Sequence, residues 1–194
     1  MGQNKLYPVF LKLHNFTTLI VGGGKVGEEK LHFILKSSPD AQIHLVATEI
    51  SENIREIVKE YSQVTLEEKS FESKDVIGKK AVIAATSDHD VNMNVYQACQ
   101  EYGVLINVAD TPDLCDFYLG SIVTKGDLKI GISTNGQSPT FAKRFRELLE
   151  ETLPDSIDGI LSKLADIRSK LAGDFQQKVQ KLDEITDILR DKDK

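Results

Sequence analysis

Short apolar runs alternate with stretches of helical periodicity over the first 110 residues of the chain. The apolar runs cover residues 19–21, 42–47, 64–67, 81–85 and 104–108. The stretches between them space apolar residues three and four positions apart, as in Leu31, Ile34 and Leu35, which lie on one helix face. Strands and helices that alternate in this way predict right-handed βαβ units. We therefore expect an α/β fold, a Rossmann-like doubly wound parallel sheet.

The positions of single elements can also be predicted. The run 81–85 is continuously apolar, as expected of a central strand covered on both faces, whereas 64–67 alternates and favours a place nearer an edge. Ser51 and Asp88 are predicted N-caps, because their side-chain oxygens can accept backbone N–H groups at a helix start. Gly103 is predicted to end the helix that begins after Asp88.

The pattern changes in the second half of the chain. Residues 118–124 and 128–134 are strand-like and are joined by Lys125-Gly126-Asp127, which predicts a hairpin. Ser138 and Pro139 are predicted to begin a helix as its N-cap and first residue. Three apolar stripes at helical spacing follow: Phe141, Phe145, Leu148 and Leu149; Ile157, Ile160, Leu161, Leu164 and Leu171; Phe175, Val179, Leu182, Ile185 and Leu189. We expect a small helical bundle, with a dimer contact made partly from these helices and the hairpin as an alternative.

The first apolar run ends in three consecutive glycines and continues into the spacing G-x-G-x-x-G. Gly22 suits a tight turn, Gly24 the close approach of a ligand, and Gly27 the close packing of the next helix. This strand–turn–helix context brings backbone N–H groups to the positive end of a helix dipole, where a pyrophosphate can bind. We predict a dinucleotide site here; the alternative is a tight turn that binds nothing.

Further cofactor contacts are predicted where other strands end, because ligands of an open parallel sheet lie beyond the carboxyl ends of its strands. Thr48 and Glu49 follow the second run, and Thr86 follows the fourth. An acidic residue that follows the second strand usually holds the adenosine ribose, and Glu49 stands just beyond that position. No Arg or Lys stands there to meet a 2′-phosphate, so we favour NAD over NADP as the cofactor.

Asp110 is the candidate catalytic residue. It follows the apolar run 104–108, at the sheet edge that would face a nicotinamide, and Pro112 fixes the turn behind it. A carboxylate in this place can take a proton from a substrate nitrogen or carbon as hydride leaves. The alternative is a turn aspartate that bonds to its own backbone.

Two other clusters of polar residues suggest binding chemistry. Lys143, Arg144 and Arg146 lie just inside the helix that Ser138 begins, and they form a cationic patch suited to carboxylates or phosphates; the alternative is a solvated helix face. The cluster Asp88-His89-Asp90 resembles a metal site, but we interpret its aspartates as residues of a helix start. We therefore predict no resident metal.

Composition and charge narrow the class of protein. The chain has 194 residues, 40% hydrophobic and 28% charged, with a net charge of −6 that argues against a broad nucleic-acid-binding surface. No apolar run approaches the roughly 20 residues of a membrane span, and the N-terminus lacks the apolar core of a signal peptide. Cys99 and Cys115 form no C-x-x-C pair. We expect a cytoplasmic protein with reduced thiols and neither nucleic-acid nor membrane partners.

Several motifs occur along the chain in a characteristic order. They are residues 7–11 (YPVFL), 21–30 (VGGGKVGEEK), 85–88 (ATSD), 107–110 (NVAD), 116–117 (DF) and 132–139 (ISTNGQSP). In this order they resemble the precorrin-2 dehydrogenase module of sirohaem synthesis, the NAD-binding part of sirohaem synthase. The family often has Ala where this chain has Gly27 and Pro where it has Thr48, and both changes are compatible with NAD binding.

The resemblance implies a specific reaction. It implies NAD-dependent oxidation of precorrin-2 to sirohydrochlorin and, in some members, insertion of ferrous iron to give sirohaem. It also implies a homodimer whose contact involves the region after the nucleotide fold. By this resemblance Lys25, Val26, Thr48 and Glu49 contact NAD, and Asp110 is the acid–base residue.

The remaining assignments concern the substrate and the division of the chain. Some members of the family have Ser at the position of Thr134, where a phosphate or substrate group is expected, while Lys143, Arg144 and Arg146 would anchor carboxylates of the tetrapyrrole. We expect an NAD-binding Rossmann domain over 1–112, a hairpin and dimerisation region over 113–137, and a helical domain over 138–194. Ferrous iron insertion is left open. The alternative function is a non-catalytic NAD-sensing module that acts through a partner.

Overall fold

The computed structural model describes residues 4–171 and 175–186. Chain contacts divide these residues into two compact units. The first unit comprises residues 4–120 and 135–137, and the second comprises residues 121–134, 138–171 and 175–186.

The first unit is built on a five-stranded sheet. Its strands are β1 (Thr17–Val21), β2 (Gln42–Ala47), β3 (Val64–Glu68), β4 (Ala81–Ala84) and β5 (Leu105–Val108). Their order is β3-β2-β1-β4-β5, and every neighbouring pair is parallel. The predicted Rossmann-like parallel sheet is therefore confirmed. The alternating strand β3 lies at an edge, as expected.

Three helices cover the two faces of the sheet, and each face has its own cluster of buried side chains. They are α1 (Lys25–Ser37), α2 (Glu52–Val58) and α3 (His89–Tyr102). Ile20 packs with the buried residues of α1 and α2, whereas Leu19 and Val21 pack with those of α3. Successive side chains of a strand point to opposite faces, so β1 contributes to both clusters.

Caps fix the helix ends largely as predicted. Ser51 accepts the Ile54 N–H at the start of α2, and Gly103, with φ of 65°, ends α3. Some element ends differ from the spacing in the sequence. Tyr61 continues the helical spacing of Ile54 and Val58, but it lies beyond the end of α2. Val104, expected in β5, instead donates its N–H to the Cys99 carbonyl and closes α3.

The outer side of β5 is covered by residues 115–117. The N–H of Asp116 donates to the Ile106 carbonyl at 2.8 Å, and its carboxylate accepts the Ile106 N–H at 3.0 Å. The Asn107 amide donates to the Phe117 carbonyl at 2.8 Å. These bonds satisfy groups that an edge strand would otherwise expose.

The second unit consists of a hairpin and three helices. β6 (Ser121–Lys125) pairs antiparallel with β7 (Leu128–Ile132), and α4 (Pro139–Thr152), α5 (Ile157–Lys170) and α6 (Phe175–Thr186) follow. Both strands are shorter than predicted, because the pairing ends at Ser121 opposite Ile132. Ser138 caps α4 by accepting the Phe141 N–H, as expected. None of the described helices is long and apolar enough to cross a membrane.

The expected core of a helical bundle does not form among the described residues of this unit. Its buried apolar side chains there are Val123 and Ala142 alone, and α5 and α6 contribute none. The predicted stripes are instead half-buried or exposed, with Phe141 58% and Leu148 55% exposed. Leu189 lies outside the described residues. The stripes were predicted correctly, but their burial within one chain was not.

Candidate active site

The glycine turn, residues 22–27, connects β1 to α1 where the chain passes close to itself. Gly22 has φ of 126°, and a Cβ atom there would lie 2.5 Å from the Ala85 carbonyl oxygen. A Cβ atom on Gly27 would lie 2.0 Å from the carbonyl oxygen of Gly22. Only glycine is accommodated at these two positions, so the turn can stay tight and α1 can begin directly against it.

The outer side of the glycine turn is open. A Cβ atom on Gly24 would meet no described atom within 4 Å. The first backbone bond of α1 is donated by Glu28 to the Gly24 carbonyl, so among the described residues the N–H groups of Gly24, Lys25 and Val26 have no acceptor. Unpaired N–H groups at a helix start next to a space free of side chains fit the pyrophosphate of a dinucleotide.

The loop after β2 is fastened to the glycine turn through Gly23. The Ser51 N–H donates to the Gly23 carbonyl at 3.0 Å, and a Cβ atom on Gly23 would lie 2.2 Å from the Glu49 carbonyl oxygen. Thr48 and Glu49, which this loop carries, are both exposed. Sequence reasoning missed the role of Gly23, although a third glycine within the motif was a visible signal.

Thr86 takes part in a closed network with Asn92 of α3. The Thr86 hydroxyl lies 2.8 Å from the Asn92 side-chain oxygen and 2.9 Å from the Asp88 carbonyl, while the Asn92 amide donates to the Thr86 carbonyl at 3.0 Å. The Thr86 hydroxyl is thus engaged within the protein and orders the loop after β4. Asn92 is 7% exposed and was missed, although a polar residue among the apolar positions of α3 was its signal.

Asp110 stands just beyond β5 in a left-handed backbone conformation, with φ of 58°. Its side chain is exposed, and among the described residues its carboxylate accepts no hydrogen bond, so the alternative of a backbone-bonded turn aspartate does not describe it. β1 pairs with β4 and β4 with β5. Asp110 therefore lies two strand spacings, about 10 Å, across the edge from the glycine turn.

The two cysteines differ in their surroundings. Cys99 is fully buried on α3, and burial raises the pKa of its thiol to about 12. Burial also raises the pKa of the Cys115 thiol, and the Val108 N–H opposes that rise. Both groups are therefore neutral thiols near pH 7.

The predicted substrate residues lie in the second unit. Thr134 accepts the Ser138 N–H through its hydroxyl at 3.2 Å, just before α4. Lys143 and Arg144 are exposed, and neither forms an ion pair within the described chain. Arg146 differs, because its guanidinium donates to both carboxylate oxygens of Glu150 at 3.0 Å. Of the three residues in the predicted cationic patch, only Lys143 and Arg144 are therefore without an acidic partner among the described residues.

Two family models match the chain. Residues 9–121 match a model described as putative NAD(P)-binding, and residues 125–152 match one described as sirohaem biosynthesis protein central. The first match covers more than half of the chain. The chain belongs to this NAD(P)-binding family. The sirohaem match that follows it confirms the predicted relation to the NAD-binding module of sirohaem synthase.

Known relatives agree with this assignment. A siroheme synthase of Psychrobacter sp. (strain PRwf-1) is 37% identical over 174 residues, which are 90% of this chain and 34% of that protein. A siroheme synthase of Methylococcus capsulatus is 35% identical over 164 residues, 84% of this chain and 34% of that protein. The chain thus spans about a third of the length of the curated relatives that it matches.

A solved structure named SirC, precorrin-2 dehydrogenase, matches over nearly the whole chain. Its TM-score is 0.76 at 26% identity, covering 94% of this chain and 90% of that one. This likeness confirms the predicted fold, and the family match confirms the predicted nicotinamide dinucleotide cofactor as NAD(P). The individual site residues and the domain limits at 112 and 137 stay predictions.

Proposed function

We propose that this protein is an NAD-dependent oxidoreductase that oxidises precorrin-2 to sirohydrochlorin in sirohaem biosynthesis. The observation that carries the proposal is Asp110, an exposed carboxylate without a hydrogen-bond donor among the described residues, fixed in a left-handed turn at the sheet edge that bears the glycine turn. A module that only senses NAD has no need of a free carboxylate at that place. The structural neighbour named precorrin-2 dehydrogenase supports the same reaction.

The cofactor would be held by three segments at the carboxyl edge of the sheet. The N–H groups at Gly24, Lys25 and Val26 would bind the pyrophosphate, with Gly22 and Gly27 keeping the turn tight. The loop of Thr48 and Glu49 would hold the adenosine ribose, and Thr86 would present the ordered backbone after β4. When bound, NAD supplies a hydride acceptor.

The choice of NAD over NADP follows from charge at the end of β2. Glu49 is exposed there, and its carboxylate would repel a 2′-phosphate while accepting hydrogen bonds from ribose hydroxyls. Arg55, the basic residue of the following helix, is ion-paired with Glu68. We therefore propose NAD as the physiological cofactor.

The proposed chemistry of this chain is proton removal. Asp110, as a carboxylate, would take the proton that precorrin-2 loses when hydride leaves, which extends the conjugation of the macrocycle. We propose Lys143 and Arg144 as anchors for substrate carboxylates, since both cations lack an acidic partner among the described residues. Thr134 and Arg146 are secondary, because each already bonds to a neighbour on its own segment.

We also propose an oligomeric state and a cellular location for the protein. The exposed apolar positions of α4, α5 and α6, among them Phe141, Leu148 and Ile160, are suited to burial against a second copy, so we propose a homodimer. Two buried or half-buried neutral thiols agree with a reducing, cytoplasmic location.

The decisive experiment is an anaerobic assay of the purified protein with precorrin-2 and NAD. We expect sirohydrochlorin and NADH from the wild type, and a loss of kcat of about 10²–10⁴-fold in Asp110→Asn with NAD binding unchanged. Asp113→Asn is the matched control, because Asp113 is an exposed carboxylate of the same segment. Its kcat should equal that of the wild type.

Two outcomes would contradict the proposal. Wild-type turnover by Asp110→Asn would remove Asp110 from the reaction. NAD binding by the wild type without any product would favour the alternative, a non-catalytic NAD-sensing module. In a separate arm, sirohydrochlorin and ferrous ion are supplied without NAD, and acceleration over a protein-free control would add iron insertion to the activity.

A further inference from the structure

The turn that carries Asp110 is closed by the thiol of Cys115. The Val108 N–H donates to the Cys115 sulfur at 3.2 Å, and the sulfur lies 3.3 Å from the Val108 carbonyl and 3.4 Å from the Thr111 carbonyl. The sulfur therefore accepts the Val108 N–H and, at 3.5 Å, the Asn107 side-chain amide, and the thiol can donate its own proton to either carbonyl. Val108 and Thr111 flank Asp110, so one side chain ties both ends of its turn.

Such a tie matters because Asp110 adopts a less favourable backbone conformation. Its φ of 58° lies in the left-handed region, which aspartate tolerates better than most residues but which still benefits from contacts that hold the turn. The Thr111 N–H also donates to the Val108 carbonyl, at 3.3 Å. The Thr111 hydroxyl donates to the Ala109 carbonyl at 3.3 Å, and Cys115 adds the side-chain contacts that join Val108 to Thr111.

Cys115 is itself held in place. The following residue, Asp116, pairs with both backbone groups of Ile106, and the Asn107 amide bonds to the Phe117 carbonyl and lies 3.5 Å from the Cys115 sulfur. The sulfur thus rests on a segment fastened to the outer side of β5. Because these bonds to Ile106 and Asn107 lie outside the turn 108–111, they hold the Cys115 sulfur in place against it.

We propose that Cys115 is a positioning residue, whose thiol holds the turn 108–111 so that the Asp110 carboxylate is presented to the substrate. The inference rests on the proposed function, in which Asp110 takes the substrate proton. Cys115 does not touch substrate in this scheme, and NAD binding at the glycine turn does not depend on it. Loss of the thiol should therefore lower kcat without changing the affinity for NAD.

The test compares Cys115→Ala and Cys115→Ser with the wild type in the anaerobic assay with precorrin-2 and NAD. Alanine removes every bond of the thiol, and a small misplacement of a catalytic group costs about 10- to 100-fold in rate, so kcat should fall by that factor. Serine restores a donor and an acceptor and should recover most of the rate. Cys99→Ala, which removes the other thiol from a packed helix face, is the control and should keep the wild-type kcat.

A double-mutant cycle separates positioning from a general loss of structure. In the Asp110→Asn background, Cys115→Ala should cause no further loss of kcat, because the carboxylate that it positions is already absent. An equal loss in both backgrounds would overturn the inference, as would an unchanged kcat in Cys115→Ala. Thermal melting and NAD titration check that each variant is folded. If alanine does not fold, Cys115→Val fills the space without hydrogen bonds and should show the same loss.

The two proposals fail in different ways. If Asp110→Asn keeps the wild-type rate, the proposed function is wrong regardless of Cys115. If Asp110→Asn loses its rate while Cys115→Ala does not, the proposed function stands and only the positioning role is lost.

Discussion

Leu45 in β2 and Leu148 in α4 occupy apolar positions of regular elements, but they differ in what covers them. Leu45 is fully buried in the core of the first unit, together with residues from both neighbouring helices. Leu148 is 55% exposed, next to Phe141 and Phe145, whose rings stack at 5.8 Å. The same kind of side chain is thus buried within the chain in one unit and left uncovered in the other.

The difference shows which part of the protein is complete in a single chain. The first unit has a sheet covered on both faces and a cofactor edge built from its own loops. The second unit has little buried apolar area of its own, so helical periodicity alone did not reveal what its stripes pack against. We infer that the stability of the first unit is intrinsic, whereas that of the second depends on a further surface.

The largest expected effect is in a matched pair of leucine truncations. Leu45→Ala should lower the free energy of unfolding by about 2–5 kcal/mol, because it leaves a cavity in a closed core. Leu148→Ala should change it by less than about 0.5 kcal/mol when the protein is dilute and monomeric. Urea denaturation of both variants and the wild type gives the two values.

The same pair of variants tests the proposed dimer. If a second copy covers α4, the cost of Leu148→Ala should grow with protein concentration, since association stabilises only the folded state. A cost of several kcal/mol that does not vary with concentration would show instead that Leu148 is buried within one chain. That result would remove the contrast between the two units.

The second prediction uses neighbouring glycines to separate the cofactor edge from the fold. Gly24→Ala adds a methyl group that meets no described atom, so stability should fall by no more than the N-cap preference of glycine over alanine, under about 1 kcal/mol, while the NAD dissociation constant rises about tenfold, or ~1.4 kcal/mol. Gly23→Ala would press on the Glu49 carbonyl and should lower stability by about 1–3 kcal/mol as well as weaken NAD binding. Isothermal titration and thermal melting provide both readouts.

The control for this pair lies in the second unit. Gly131 of β7 also has open space where a Cβ atom would stand, so Gly131→Ala should leave NAD binding unchanged. Unchanged NAD affinity in Gly24→Ala would show that the open side of the glycine turn is not the cofactor site. Unchanged stability in Gly23→Ala would mean that the loop at Glu49 is free to move away.

Local signals predicted most of the first unit. Continuous apolar runs, the three glycines and capping residues such as Ser51 and Asp88 each act within a few positions, so their consequences can be derived from the sequence. The positions of Gly22, Thr48, Glu49 and Asp110 at one edge follow from strand order alone, which is a property of the fold class.

The contacts that the sequence did not predict join residues through tertiary packing. Asn92 bonds to Thr86, and Cys115 to Val108, only because a helix and a returning segment lie against the sheet edge. Arg146 was predicted to anchor substrate carboxylates, but its guanidinium pairs with Glu150, one helical turn away. Whether the apolar stripes of α4, α5 and α6 are buried depends on which surface packs against them. The helical periodicity of a sequence does not identify that surface.

A third prediction compares one aspartate in each unit. The Asp88 carboxylate accepts N–H groups of Asp90 and Val91 at the start of α3, so Asp88→Ala should cost about 1 kcal/mol of unfolding free energy. Asp158 accepts the Asp127 N–H at 2.9 Å and holds the hairpin turn against α5, at an exposed position. Asp158→Ala should cost less, because water replaces the lost partner.

Denaturation curves of the two variants, measured side by side, check this order. Asp88→Asn is the control for the cap, since asparagine also accepts an N–H group and should retain most of the stability. A larger loss in Asp158→Ala than in Asp88→Ala would mean that the hairpin turn contributes more to stability than a helix cap in the first unit. The second unit would then be less dependent on outside contacts than its exposed stripes indicate.

The smallest expected effect is a pH dependence confined to the first unit. Burial, with Lys79 adding to it, lowers the pKa of His44 below 6.5, although Glu67 and Asp75 oppose the shift. The unfolded chain therefore binds a proton more readily than the folded one, and stability should fall as the pH drops below about 6.5, levelling off below the folded pKa.

His44→Gln should remove this slope, because glutamine has no proton to bind, and urea denaturation from pH 7.5 to 5.5 compares it with the wild type. In the second unit, Lys125 lowers the pKa of Asp155 from 3.8, so that carboxylate contributes only at much lower pH. The decrease of stability between pH 7.5 and 5.5 should therefore appear in the unfolding of the first unit and not in that of the second unit. If His44→Gln keeps the pH dependence of the wild type, groups other than His44 cause it. That result would weaken the distinction between a first unit whose stability is intrinsic and pH-dependent and a second unit that depends on a partner surface.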